Sequence, residues 1–184
     1  MKVILGAGNT NLDGWMSSQQ DDLNLLKKED FERKFEPETV FAMLAEHVWE
    51  HMTLEEGKLA AKNCYDFLAP GGYLRCAVPD SNFRNKPYQK LVQVGGPGPS
   101  DHPAFSHKIV YDYQNFKSVF TKVGFEVELL EYCDENGVFH YKYWNEADGK
   151  IGRSFRFDTR NSAKKLGMVS IVIDANKPLV IKNP

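Results

Sequence analysis

Apolar and polar positions along this chain follow two periods. Val3-Ile4-Leu5 is a short unbroken apolar run and Thr39-Val-Phe-Ala-Met-Leu-Ala45 a longer one; both read as buried strands. After Thr53, apolar or small residues fall at Gly57, Ala60, Ala61, Cys64, Phe67 and Leu68, which is helical spacing. Thr53 and Glu56 make the Thr-x-x-Glu pattern of a capping box, and Pro70-Gly-Gly72 marks the stop. Tyr73-Leu-Arg-Cys-Ala-Val78 then reads as a strand ended by Pro79-Asp80. A second helix is predicted from near Asp112 to Gly124, with Phe116, Val119, Phe120 and Val123 on one face. Phe125-Glu-Val-Glu-Leu129 alternates as a half-buried strand should, and Met168-Val-Ser-Ile-Val-Ile173 is a last strand. Strands alternating with helices imply an α/β fold with a mostly parallel sheet.

Two stretches break this rhythm. Residues 80–108 are rich in Pro, Gly and Asn and show no periodic element, so they read as a long loop or lid. Residues 133–160 hold the turn signals Glu135-Asn-Gly137 and Ala147-Asp-Gly149 between aromatic segments, and read as a β-hairpin insertion. The 184 residues show no repeat and no linker, so a single domain over 1–184 is expected. With 42% hydrophobic residues and a net charge of −2, a general polyanion binder is disfavoured. No apolar run is long enough for a membrane helix and no signal-peptide pattern opens the chain. Cys64, Cys76 and Cys133 are odd in number and not paired as Cys-x-x-Cys, which argues against disulfides and a structural zinc site. A cytoplasmic setting is the expectation.

The candidate chemistry lies at two strand ends. Gly6-Ala-Gly8 directly follows the first strand, where a missing side chain lets a ligand approach the backbone. Glu46-His-Val-Trp-Glu-His51 follows the second, placing two carboxylates and two imidazoles where open α/β sheets bind ligands.

Leu5-Gly-Ala-Gly-Asn9 with Gly14-Trp15 resembles the nucleotide-binding loop of class I S-adenosylmethionine-dependent methyltransferases. Glu46-His-Val-Trp-Glu-His51 and Leu68-Ala-Pro-Gly-Gly-Tyr-Leu-Arg-Cys-Ala-Val-Pro-Asp80 are similar to a small branch of that family with Glu-His-x-x-Glu-His and Leu-x-Pro-Gly-Gly motifs. Val123-Gly-Phe-Glu-Val127 matches the approach to a late strand. The resemblance covers residues 2–131 and the final strand. It implies a Rossmann-like methyltransferase fold, with a mostly parallel sheet and an antiparallel late strand. It implies S-adenosyl-L-methionine as cofactor, with Gly6, Ala7, Gly8 and Asn9 at its tail. Gln19 stands where relatives carry a ribose-binding acid, with Asp21 or Asp22 as substitutes, and Glu46 and His47 would face the methionine moiety. Methyl transfer needs positioning and, for oxygen or nitrogen acceptors, a base. The candidates are His47, Glu50, His51, Asp80, His107 and Tyr111, with a small-molecule acceptor favoured. The chain departs from the family pattern at Leu5, where an acid is common, and in the short span between Gly8 and Met16. A cofactor-binding but non-catalytic relative is therefore the alternative.

Two rival readings use other residues. His47-Val-Trp-Glu50-His51 spells the inverted zinc-protease signature, but it follows a strand and precedes a helix cap, so no metal is expected on His47 and His51. Lys150, Arg153, Arg156, Arg160, Lys164 and Lys165 interleave with Trp144, Phe155 and Phe157, a pattern that binds nucleic acid when exposed. A solvated hairpin face is the preferred explanation.

Overall fold

The computed structural model describes residues 1–179. Seven strands form one sheet: β1 (Lys2–Leu5), β2 (Met16–Ser17), β3 (Val40–Glu46), β4 (Leu68–Pro79), β5 (Glu126–Cys133), β6 (Phe139–Tyr141) and β7 (Ser170–Asn176). Their order across the sheet is β2-β1-β3-β4-β7-β5-β6. β1 to β4 are parallel to one another, and β7 lies antiparallel between β4 and β5. The expected α/β fold, with its antiparallel late strand, is thus the fold observed.

Side-chain alternation gives the sheet two faces that are covered differently. Val3, Leu5, Met43, Ala45, Leu74, Cys76, Ile171 and Ile173 share a core with α2 (Leu54–Phe67) and α4 (Tyr113–Thr121). Helix α1 (Lys28–Glu32) adds Phe31, stacked on Phe67 at 5.2 Å. The opposite face presents Ile4, Ala42, Leu44, Ala77 and Val172 to Trp15, Trp144 and Ile151, which come from loops. Arg75 is buried on this face. Its guanidinium donates twice to Asp174 at 2.8 Å, and also to the carbonyls of Asn145 and Gly149. The irregular segment after β6 thus takes the place of a covering helix layer.

Three boundaries differ from the sequence reading. Pro70-Gly71-Gly72 does not separate helix from strand; α2 ends at Phe67 and β4 begins at Leu68, with a register break as the pairing passes from Val40–Leu68 to Ala42–Tyr73. A Cβ on Gly72 would meet the carbonyls of Ala69 and Phe41 at 2.9 Å, so only glycine fits this bulge. The 80–108 stretch does contain a helix, α3 (Lys86–Val92), capped by the Asn85 side chain on the Tyr88 N–H, and a 3₁₀ turn at Pro103–Ser106. In 133–160, the first turn signal forms the β5–β6 hairpin, while the second sits in a 3₁₀ turn with no strand beyond it. Among the described residues, no helix is long and apolar enough to cross a membrane.

Candidate functional site

Leaving β1, the chain turns through Gly6 (φ +58°) and Gly8 (φ +54°), a left-handed geometry that favours glycine. A Cβ on Gly6 would press on Val48 at 3.0 Å, whereas one on Gly8 would meet nothing within 4 Å. The space beside Gly8 is open to a ligand. Gln19 clamps this turn from the end of β2: its Oε1 accepts from the Gly8 N–H at 3.2 Å, and its Nε2 donates to the Gly8 carbonyl at 2.9 Å. The Ala7 N–H donates to the Ser18 carbonyl, fixing the loop to the same strand.

At the end of β3 the chain bends sharply. His47 has φ +56°, a strained conformation for a residue with a Cβ, and its N–H is held by the Ala77 carbonyl. Its Nε2 lies 3.0 Å from Ser170 Oγ, and that hydroxyl donates to the Arg153 carbonyl. The hydroxyl proton is thus committed, so Nε2 of His47 is the donor to Ser170. Nδ1 lies 3.1 Å from Glu50 Oε1, an ion-pair contact without hydrogen-bond alignment. Trp49–His51 form a 3₁₀ turn, and Thr53 then caps α2 with the full capping box. Glu50 is fully buried, and neither carboxylate oxygen has a hydrogen-bond partner. Burial pushes its pKa up, but the neighbouring charge and contact of His47 outweigh this, and the net shift is downward.

His107 faces Glu50 from the other side of the site, with Nε2 at 4.0 Å from Oε1. Its Nδ1 lies 2.9 Å from the Val92 carbonyl, which can only accept, so Nδ1 carries a proton and the neutral form of the ring has its lone pair on Nε2. His51 stacks edge-on against His107 at 4.9 Å and places Nδ1 2.8 Å from Ser106 Oγ. Burial holds the His51 pKa below the usual histidine range. The segment carrying His107 is tied down by Lys108 and Ile109, whose N–H groups donate to the Glu50 carbonyl, and by Lys108 Nζ on Glu56 at 2.9 Å.

Two cavities meet over these residues, sharing Gly6, Gly8, His47 and His51. The smaller, about 570 Å³, runs from the glycine turn past Gln19 and Gln20 to an apolar wall of Leu23, Leu25, Leu26 and Met52. The larger, about 810 Å³, holds Glu46, Glu50, His107, Arg153 and Arg160. Both fall in the size range of small-molecule sites. The smaller one offers what a nucleoside with an amino-acid tail requires: a side-chain-free turn, amides for hydroxyls and an apolar wall. The residues fit that group.

Of the residues expected from the sequence, Gly6, Ala7, Gly8, Asn9, Glu46, His47, Glu50 and His107 line the larger cavity, and Gln19 the smaller. Glu46 is already engaged, accepting the N–H groups of Gly152 and Arg153 at 2.9 and 2.8 Å. Asp21 is exposed and lines neither cavity. Asp80 and Tyr111 are corrections: both are buried away from the cavities. The Asp80 carboxylate accepts the N–H groups of Cys133 and Asn82, and Tyr111 packs against Phe116 beneath Gly57. Packing won at Tyr111 because its ring completes the α2–α4 core. The leucine wall of residues 23–26, and His102, Arg153 and Arg160, were missed as site residues; the local sequence carries no periodic signal for them. The basic stripe is largely spoken for. Arg156 stacks on Tyr143, Trp144 and Phe157, Lys150 sits over Phe157, and Arg160 pairs with Asp158.

No family model matches the sequence, and no curated protein matches it. Solved structures match the fold. A methyltransferase dependent on S-adenosylmethionine from Archaeoglobus fulgidus aligns with TM-score 0.54 and 14% identity, over 96% of this chain and 85% of that one. Another from Methanosarcina mazei aligns with TM-score 0.52 and 12% identity, over 93% and 71%. A carbon methyltransferase, CurJ, aligns with TM-score 0.54 and 14% identity, over 96% of this chain and 48% of that longer one. The chain therefore has the fold of the class I S-adenosylmethionine-dependent methyltransferases.

Proposed function

We propose that this chain binds S-adenosylmethionine and transfers its methyl group to a small-molecule acceptor. The observation that carries the reading is the open Gly6–Gly8 turn at the junction of two cavities, on the ligand-bearing edge of a methyltransferase fold. The smaller cavity is the nucleoside side, with Gln20 and the second N–H of the Gln19 amide, whose first is bonded to Gly8, for the ribose hydroxyls and Leu23, Leu25 and Leu26 against the base. When bound, the cofactor supplies an electrophilic methyl on a sulfonium, displaced in line by the acceptor. The protein's part is to hold the acceptor in the larger cavity, exclude water and take up a proton where the acceptor carries one. Glu50 and the lone pair on Nε2 of His107 are the groups placed for that proton. His47, pinned between Ser170 and Glu50, positions Glu50. Three free buried thiols, Cys64, Cys76 and Cys133, fit a reducing cytoplasm.

Calorimetric titration with S-adenosylmethionine and with its demethylated product tests the reading. Wild type is expected to bind both, and Gly8→Val to bind neither while keeping its far-UV circular dichroism. Because φ at Gly8 strains any side chain, Gln19→Ala serves as a second variant, expected to weaken binding without unfolding. Absence of binding by wild type at millimolar cofactor removes the proposal. Glu46→Gln separates cofactor from scaffold roles: unchanged affinity is expected, since that carboxylate already serves the 152–153 turn.

A further inference from the structure

We infer that Glu50, His51 and His107 form a binding site for a divalent transition-metal ion of the zinc class. One ligand atom from each of the three lies within 4.8 Å of the others, and all three line the larger cavity. A carboxylate with two imidazoles is a set that suits zinc and its first-row neighbours, leaving positions for water or a bound molecule.

Two independent features point to an ion. The Glu50 carboxylate is wholly buried; His47 faces only its Oε1, without hydrogen-bond alignment, and Oε2 is left unpartnered, an arrangement that a fold tolerates when a further positive charge completes it. Both imidazoles are also oriented as ligands normally are, with the second nitrogen held by an outer partner. His107 Nδ1–H donates to the Val92 carbonyl. Ser106 Oγ, which donates to the Pro103 carbonyl, accepts from His51 Nδ1. Each ring thereby presents Nε2 as an unprotonated donor.

The set differs from the inverted zinc-protease reading. His47 is excluded because Ser170 holds its Nε2 and Glu50 faces its Nδ1, and the His-x-x-Glu-His run lies on a strand end and a 3₁₀ turn instead of one helix. His107, 56 residues beyond His51 in the sequence, takes its place, so the site is not one that the local motif spells. An ion held by these three groups would lie at the wall of the larger cavity. On the methyltransferase reading, an acceptor oxygen bound there would be acidified by the ion, which would replace the free lone pair of His107 in that task.

The test uses the full chain stripped with chelator, then exposed to Zn²⁺ or Co²⁺ alone and desalted. Elemental analysis is expected to give one ion per chain, and Co²⁺ to give visible ligand-field absorption. Glu50→Gln and His51→Asn should lower affinity by at least about 100-fold. His107→Asn should do the same while its side-chain amide keeps the bond to Val92, so that lost metal is not lost fold. His140→Gln, whose ring pairs with Asp134 far from the site, should retain the ion. Failure of wild type to retain an ion, equal retention in all variants, or displacement of Zn²⁺ by a modest excess of Mg²⁺ would each overturn the proposal. Titrating the demethylated cofactor into metal-free protein keeps the two readings separable: binding there with no metal uptake sinks only the metal site.

Discussion

His47 and Asp80 both leave parallel strands at the carboxyl edge of the sheet, yet only one reaches the cavities. His47 itself is left-handed and brings its Nδ1 to Glu50; Asp80 folds inward, where backbone amides of Cys133 and Asn82 claim its carboxylate. Burial nevertheless pushes the Asp80 pKa up, from an ordinary 3.8 to about 6, with those two amides only partly offsetting it. The sign follows from linkage. Between pH 4 and 6 the folded state holds a proton that the unfolded state has released, so this group's contribution to stability falls as pH rises through that window. Asp80→Asn removes the titration. The stability of wild type relative to that variant is expected to drop by about 2 kcal/mol between pH 4 and pH 7, read from urea midpoints. A flat difference would mean that the carboxylate ionises normally. At this scale the sequence showed which residue types gather at the strand ends but not their rotamers. Glu50 and His107 were legible as candidates, whereas the inward turn of Asp80 and Tyr111 depends on packing partners that are remote in the chain.

Elements with a strong period were legible. α2, α4 and β3 read directly, because their apolar positions repeat over enough residues to outweigh local breakers. α3 did not, since seven residues beginning Lys86-Pro87 carry too little pattern, and α1 is shorter still. The early start of β4 was hidden by Pro70-Gly71-Gly72, which usually ends elements but here forms a bulge. The capping box on α2 has two consequences. Thr53→Ala should destabilise the protein by about 1 kcal/mol in equilibrium denaturation. The same box also fixes Glu56, whose carboxyl is held down at about 2, first by Lys108 and then by the Thr53 backbone N–H. Since this pKa is depressed, the favourable pairing with Lys108 is complete above pH 5 and is lost as pH falls towards 2. The pair is exposed and screened by salt, so its effect is local. Lys108→Ala is expected to speed amide exchange across residues 93–107 several-fold and leave global stability nearly unchanged.

In the whole molecule, residues 80–108 overhang the junction of the two cavities, contributing Leu91, Val92, His102 and His107 to the larger and Ser106 and Lys108 to the smaller. If this segment closes on a bound cofactor, amide exchange there should slow on adding the demethylated product. Equal exchange in both states, with binding confirmed, would mark it as a static wall. The topology carries a further consequence, for biosynthesis. β7 sits between β4 and β5, although both neighbours precede it in the chain. On a translating ribosome, β2-β1-β3-β4 and the β5–β6 hairpin can each form early, but they remain two unjoined pieces until residues 170–176 emerge. Each piece then offers a bare hydrogen-bonding edge to any other nascent chain. Chains released before residue 170 should therefore be captured by chaperones or aggregate, and crowded polysomes should be where this protein is most vulnerable.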